Sequence, residues 1–287
     1  MINELYDLKR GINKMKYDYQ NNRSLKKFIK KNSRRKKTLK NQLNNILDKA
    51  QYILESNPNR VYEQQHPIFS YIKLFTDLIQ SKIATSVMMN GGGNVHIKNG
   101  KWFNTVSAYM NPIDNIFLQG KFSESNLYTG VNLKIYNDRD PIITHVWNSD
   151  KLANAIRNIG KGMMDKRYMN IDIKKEHAFK YDELNHKGEY IYPLGITNIY
   201  NGNHSISAGL NKSEGNVIID EIVDISDLYD RYKFDGKYLI NRETGKKDQI
   251  YFEFGVIFEI GRLLLEHKHI FNKEIQDIIE NQKPFEF

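Results

Sequence analysis

The sequence contains no cysteine among its 287 residues. Disulfide bonds and cysteine-ligated zinc or iron–sulfur centres are therefore excluded, and the composition fits a reducing, cytoplasmic location. The chain also lacks any apolar run near the roughly 20 residues that a membrane-spanning helix needs, so we expect no membrane association. Its first residues show no charged segment followed by an apolar one, and we expect no secretory signal peptide.

Acidic residues are scarce near the N-terminus, and this scarcity accounts for the net charge of +9. Residues 1–60 contain 16 Lys and Arg against 5 Asp and Glu, whereas residues 61–287 contain 27 against 29. Residues 23–40 include no acidic residue at all. The ten basic residues of this segment are Arg23, Lys26, Lys27, Lys30, Lys31, Arg34, Arg35, Lys36, Lys37 and Lys40. A negatively charged partner is expected to meet this segment first.

This basic segment has two interpretations. In the first, its side chains contact the phosphates of a nucleic acid and release counterions. The residues expected to make those contacts are Lys26, Lys27, Lys30, Lys31, Arg34, Arg35, Lys36 and Lys37. In the second, the segment is a solvated helix face that only aids solubility. Phe28 is the single aromatic residue within it, whereas proteins that bind single strands interleave several rings with their charges.

Helical periodicity dominates the first 90 residues, and strand patterns follow. Apolar residues recur at helical spacing from Leu39 to Leu54, Asn57-Pro58-Asn59 ends that helix, and a second broad apolar face starts at Pro67. Residues 95–103 form a hairpin pattern with an Asn-Gly turn. We therefore predict an α+β fold, with a basic helical region at residues 1–90 and a mixed α/β domain at residues 91–287.

One polar turn gives the strongest indication of chemistry. The apolar run 190–196 predicts a strand, Asn201-Gly202 predicts a turn, the small residues after it predict a helix, and residues 217–223 predict a second strand. The start of a helix directs free N–H groups and a positive dipole end at an anion. His204 adds an imidazole that can act as an acid or a base near neutral pH. The alternative is that this histidine only hydrogen-bonds the turn.

The stretch from Ile199 to Leu210, followed by Gly215 to Ile219, resembles the ParB/sulfiredoxin-like fold. That family has a Gly-x-His-Arg turn between a strand and a helix of small residues. The resemblance is to a branch found in bacterial and mobile-element genomes, and it implies that the core of the fold occupies residues 140–240 approximately.

The resemblance also implies that the turn binds a phosphate or a nucleotide. Asn201, Gly202, Asn203 and Ser205 would contact the phosphate, and His204 would be the catalytic residue of a phosphoryl-transfer or hydrolytic reaction. A nucleotide, together with magnesium, is the cofactor that we expect for this site.

The sequence departs from the family pattern at Ser205, which stands where arginine is usual. Arginine grips a phosphate with two charge-assisted hydrogen bonds, and serine cannot. Tight binding therefore needs another cation, supplied by Lys212 or by a residue distant in sequence.

Other titratable residues give weaker indications. Asp220, Glu221 and Asp224 either hold a magnesium ion beside the phosphate or are solvent-facing strand residues. His177 and His186 match no metal-binding spacing, and we expect them in surface loops. We therefore predict no metal site built by the protein alone.

Two functional hypotheses follow. The first is a protein that binds a nucleotide or a nucleic-acid phosphate, with a phosphoryl-transfer or hydrolytic activity at the 201–205 turn. The alternative is a non-enzymatic module, related to phage or defence systems, that binds nucleic acid or a protein through its basic N-terminal helices. The sequence alone does not decide between an enzyme and a binding module.

Overall fold

The computed structural model describes residues 23–90, 96–98, 101–103, 127–164 and 176–281. It confirms the predicted α+β class. The helices are α1 (Arg23–Ser56), α2 (Pro67–Asn90), α3 (Ser149–Asn158), α4 (Asn203–Asn211), α5 (Leu228–Arg231), α6 (Phe252–Leu264) and α7 (Lys273–Asn281), with 3-10 turns at Tyr62–Gln64 and Lys268–Ile270.

The strands follow the first two helices and alternate with the later ones. They are β1 (His96–Lys98), β2 (Lys101–Phe103), β3 (Leu127–Tyr136), β4 (Ile142–Ile143), β5 (Gly160–Met164), β6 (Glu176–His177), β7 (Lys187–Tyr192), β8 (Ile196–Asn201), β9 (Asn216–Asp224), β10 (Tyr232–Phe234), β11 (Tyr238–Asn241) and β12 (Lys247–Gln249).

The N-terminal helices have the amphipathic pattern that their sequences predict. Leu43, Ala50 and Leu54 of α1 are buried, and α1 ends at Ser56, directly before the predicted stop. Proline opens α2, where its missing N–H costs nothing because the first N–H groups of a helix have no acceptor within it. Within the described residues, none of the helices combines the length and the hydrophobicity needed to cross a bilayer.

A mixed five-stranded sheet forms the centre of the structure, with the strand order β3-β9-β7-β8-β4. β3 and β9 are antiparallel, β9 and β7 are parallel, β7 and β8 are antiparallel, and β8 and β4 are parallel. A separate antiparallel sheet contains β10, β11 and β12. The predicted hairpin pairing is confirmed, since β1 and β2 are antiparallel and Lys98 lies opposite Lys101.

The strand predicted at residues 190–196 is wrong in its extent. β7 ends at Tyr192, and β8 starts at Ile196 as its antiparallel neighbour. Gly195 has a φ of 68°, in the left-handed region that favours glycine, and so reverses the chain between them. An added Cβ there would be 3.1 Å from a ring carbon of Phe69, so the turn packs directly against α2. The predicted strand at 217–223 is confirmed as the main part of β9.

The N-terminal helices and the central sheet share one hydrophobic cluster. It includes Leu54 of α1, Ile79 of α2, Ile191 of β7 and Phe258 of α6. The first strand of the central sheet, β3, precedes the predicted start of the core at residue 140. The domain division expected at residue 90 stays a prediction, with α1 and α2 contributing to the same buried cluster as the sheet.

Candidate functional site

The 201–205 turn lies between β8 and α4, as its residues predict. β8 ends at Asn201, Gly202 has a φ of 76°, and the nine-residue helix α4 begins at Asn203. A Cβ on Gly202 would lie 2.5 Å from the Cδ2 atom of His186 and 2.9 Å from the carbonyl oxygen of Asn185. Glycine is therefore required here for two reasons: the backbone has a positive φ, and the neighbouring loop leaves no space for a side chain.

His204 connects the start of α4 to the start of α3. Its Nε2 atom accepts hydrogen bonds from the backbone N–H of Trp147 at 3.4 Å and of Asn148 at 3.2 Å. Burial lowers the pKa of His204, and the nearby Lys151 ammonium lowers it further. A neutral ring whose Nε2 accepts must carry its proton on Nδ1. His204 can therefore donate through Nδ1 to a ligand, while its other nitrogen is occupied by the backbone.

Asn203 forms a hydrogen bond that connects the turn with a buried histidine, His145. Its Oδ1 atom accepts a hydrogen bond of 2.7 Å from the backbone N–H of His145, and the imidazole of His145 lies 2.7 Å, through Nε2, from Oδ1 of Asn198. The amide of Asn198 donates to a carboxylate oxygen of Glu189, also at 2.7 Å. This amide orientation makes Nε2 of His145 the donor. Burial lowers the pKa of His145, so its Nδ1 is left as a buried acceptor with no partner among the described residues.

Ser205 is held by a second histidine. The Ser205 hydroxyl donates to the carbonyl oxygen of Gly202 at 2.9 Å and lies 2.8 Å from Nε2 of His186. Nδ1 of His186 accepts from the backbone N–H of Asp182, and burial lowers the pKa of His186, so the neutral ring carries its proton on Nε2 and donates to the serine. In this tautomer His186 cannot take a proton from Ser205, and the pair fixes the turn instead of activating a nucleophile.

The expectation that His186 lies in a surface loop is wrong. Its side chain is buried, and its ring stacks on that of Phe179 with centroids 5.3 Å apart. The physical reason is long-range, because the loop before β7 folds onto the α4 start and places the ring between Phe179 and Ser205. His177, predicted in the same class, is partly buried at the end of β6.

A cavity of about 470 Å³ opens at the start of α4. The four predicted phosphate-binding residues, Asn201, Gly202, Asn203 and Ser205, line it together with His204, the predicted catalytic residue. Lys151, Trp147, Tyr200, Asn185 and His145 also line it, together with Ala155 and Ile199.

Lys151 is a cationic residue among those that line the cavity. It lies in the first turn of α3, 52 residues before the first residue of α4 (203 − 151). The positions of Lys151 and His145 beside the turn depend on the pairing of β4 with β8 and on the packing of α3 against α4. Lys212, the nearer candidate in sequence, is the C-cap of α4 and lies about 13 Å along the helix from the turn. It is therefore at the wrong end of α4 to contact the same ligand.

The carboxylates of β9 have other partners. Asp220 forms an ion pair of 3.3 Å with Lys187, and Glu221 accepts a hydrogen bond of 3.3 Å from the Tyr200 hydroxyl. Burial, followed by the charge of Asp220, raises the pKa of Glu221. Asp224 accepts from the backbone and hydroxyl of Ser226. In the part of the chain that the structure describes, no group of three or more His, Asp and Glu side chains is arranged to hold a metal ion.

The basic segment forms the first half of α1. Among the residues predicted to contact nucleic acid, the side chains of Arg34 and Lys37 are described, and both are exposed. The side chains of Lys26, Lys27, Lys30, Lys31, Arg35 and Lys36 are not among those that the structure describes. Burial of α1 starts at Leu43, the first fully buried position of its described side chains.

Comparisons with known proteins give one match. Residues 26–271 match a model described as a family of unknown function, DUF6710. No curated protein and no solved structure matches the chain. The matched region contains every residue that lines the cavity at α4.

Proposed function

The chain belongs to DUF6710, a family of unknown function, and we propose that its cavity at the start of α4 binds the phosphate of a nucleotide or of a nucleic acid. One observation carries this proposal. The first turn of a nine-residue helix opens, at a glycine, into a cavity of about 470 Å³ that is also lined by Lys151.

The chemistry of the wall supports an anionic ligand. The first N–H groups of α4 have no acceptor within the helix, and the helix dipole adds partial positive charge at the same place. The Lys151 ammonium provides the full positive charge that Ser205 cannot provide. Neither Asp nor Glu is among the residues that line the cavity.

A catalytic role for His204 remains part of the proposal. With Nε2 occupied by two backbone N–H groups, His204 would act through Nδ1 as a hydrogen-bond donor to a phosphoryl oxygen. Transfer or hydrolysis of that phosphoryl group is the reaction that this donor would assist. Magnesium would enter with the nucleotide, since this ion is commonly held by substrate phosphates and only one or two carboxylates.

Replacement of Lys151 by glutamine tests the proposal. The change removes a charge-assisted contact, and we expect the dissociation constant for inorganic phosphate and for nucleotides to rise about 10- to 100-fold. Calorimetric titration at low salt, with and without magnesium, measures the effect. The matched control is Lys212→Gln, which makes the same charge change at the opposite end of α4. Equal affinities of the two variants would count against binding at this cavity.

A second candidate function rests on α1. Arg34, Lys37 and Lys40 are exposed on the half of this helix that precedes its buried part, so their charges are accessible to nucleic acid. Glutamine at all three positions should reduce the slope of log affinity against log salt by roughly 2 to 3 for an oligonucleotide. If the same variant binds nucleotides as the wild-type chain does, the two binding surfaces are independent. An unchanged salt slope would show that these three side chains do not contact the nucleic acid.

The ParB/sulfiredoxin-like resemblance stays within this proposal. Its support is the local order of β8, the Gly202 turn, α4 and β9, which agrees with the motif of that family. A cytoplasmic location is likewise proposed, on the basis of a sequence without cysteine.

A further inference from the structure

Two aromatic side chains at the cavity are unusually exposed for their size. Trp147 and Tyr200 both line the cavity, and each retains 45% of its accessible surface. Most other large apolar side chains of the described sheet are buried in the core. Exposed rings beside a polar cavity indicate a ligand with a flat surface of its own, because stacking on such rings removes apolar area from water.

The indole of Trp147 is held in a defined position. Its ring meets that of His204 edge-on, with centroids 5.3 Å apart and planes at 76°, and its backbone N–H donates to the same histidine. The residue that presents a proton to the ligand therefore also positions the ring. A base stacked on this indole and a phosphate at the start of α4 would contact one continuous wall.

Lys151 connects the ring with the phosphate position. Its Nζ atom lies 4.3 Å from the centroid of the Trp147 ring, in a cation–π contact. A charge-assisted hydrogen bond to a phosphate is stronger than a cation–π contact of this kind, so a bound phosphate would compete with the ring for the ammonium.

We propose that the ligand of this cavity is a nucleotide, free or at the end of a single strand, whose base stacks on the indole of Trp147. This inference rests on the proposed phosphate site and adds the chemical class of the rest of the ligand. The cavity volume lies in the range of roughly 300–1,000 Å³ that is typical of sites for small organic ligands. Tyr200, whose hydroxyl is fixed by Glu221, supplies a second ring in the same wall.

Three ligands of increasing size distinguish the contribution of the phosphate to the affinity from that of the base. Inorganic phosphate, ribose 5-phosphate and nucleoside monophosphates are titrated calorimetrically into the wild-type chain and into Trp147→Leu. Stacking predicts that the leucine variant loses roughly 5- to 150-fold in affinity for the nucleotides and less than about twofold for the other two ligands. Trp147→Phe keeps a ring and should retain most of the nucleotide affinity. The control is Tyr52→Leu, which removes an exposed ring from α1, away from the cavity.

Fluorescence gives a second readout. The sequence has two tryptophans, so Trp102→Phe leaves Trp147 as the only indole. Nucleotides should quench its emission, whereas ribose 5-phosphate should not. A short oligonucleotide tested beside the mononucleotides shows whether the nucleotide is free or part of a strand, and tight binding of either one supports the inference.

The outcomes distinguish this inference from the one on which it rests. If phosphate and ribose 5-phosphate bind in a manner that depends on Lys151, but Trp147→Leu binds nucleotides as the wild-type chain does, stacking is refuted and the phosphate site stands. If none of the three ligands binds, the phosphate site fails and the nucleotide assignment fails with it.

Discussion

Replacing Gly202 by alanine perturbs the point at which the strand, the helix and the His186 loop meet. The residue has a φ of 76°, and a side chain in this left-handed region costs about 1 kcal/mol or somewhat more. The new Cβ would also lie 2.5 Å from Cδ2 of His186 and 2.9 Å from a backbone oxygen, and relief of such overlap in a packed region typically costs about 1–3 kcal/mol. We therefore expect a loss of about 2–4 kcal/mol in the free energy of unfolding.

The structure offers a control that separates these two contributions. Gly245 has a similar φ of 69°, but nothing lies within 4 Å of the position of its Cβ. Gly245→Ala should therefore lose about 1 kcal/mol, from the backbone alone. Urea unfolding followed by circular dichroism measures the stability of both variants. If the slope of the unfolding free energy against urea concentration is the same in the wild-type chain and the variants, differences between the midpoints report differences in stability. Equal losses at the two positions would refute the close approach of His186 to the turn.

Two further predictions concern buried polar groups. The unfolding free energy should decrease as the pH falls from about 7 towards 5, because burial holds the pKa values of His145 and His186 below the unfolded value of about 6.5 and the unfolded chain then binds more protons. The urea midpoint should therefore depend less on pH in His145→Gln than in the wild-type chain. A midpoint that rises on acidification would contradict this prediction. Removal of the Tyr62 hydroxyl, which donates to the buried carboxylate of Asp140 at 2.8 Å, should cost about 1.5–3 kcal/mol in thermal or urea unfolding, whereas Tyr52→Phe at an exposed position should cost less than about 0.5 kcal/mol.

Much of the fold follows from local sequence. The apolar stripe from Leu39 to Leu54 identifies the packed part of α1, and the Asn-Gly turn identifies the β1–β2 hairpin. The boundary between β7 and β8 does not follow from periodicity, because both strands are buried near the turn and their apolar residues form one run without alternation. Only Pro193 and Gly195 interrupt that run, and the left-handed conformation of the glycine is what ends one strand and starts the next.

The residues of the candidate site also fall into two groups, those that the sequence predicts and those that only the fold brings together. Asn201 to Ser205 are consecutive, so a turn motif is sufficient to find them. Lys151 and His145 reach the same cavity only through tertiary packing, and no spacing in the sequence connects either of them with the turn. The burial of His186 has the same origin, since its partners Phe179 and Ser205 come from different segments. Residues that meet through the fold cannot be assigned to a site before the fold is known.

The protonation states of the site determine what can attract an anion to it. Burial lowers the pKa of His145, of His186 and of His204, and the hydrogen bonds of each ring fit a neutral imidazole. Nε2 of His145 donates to an amide oxygen, and Nε2 of His186 donates to a hydroxyl. Nε2 of His204 accepts from two backbone N–H groups. Three histidines at one turn therefore contribute geometry and directed hydrogen bonds but no net charge near neutral pH. The positive potential comes from Lys151 and from the start of α4, so a single side chain outside the motif supplies the charge on which the proposed recognition of phosphate depends.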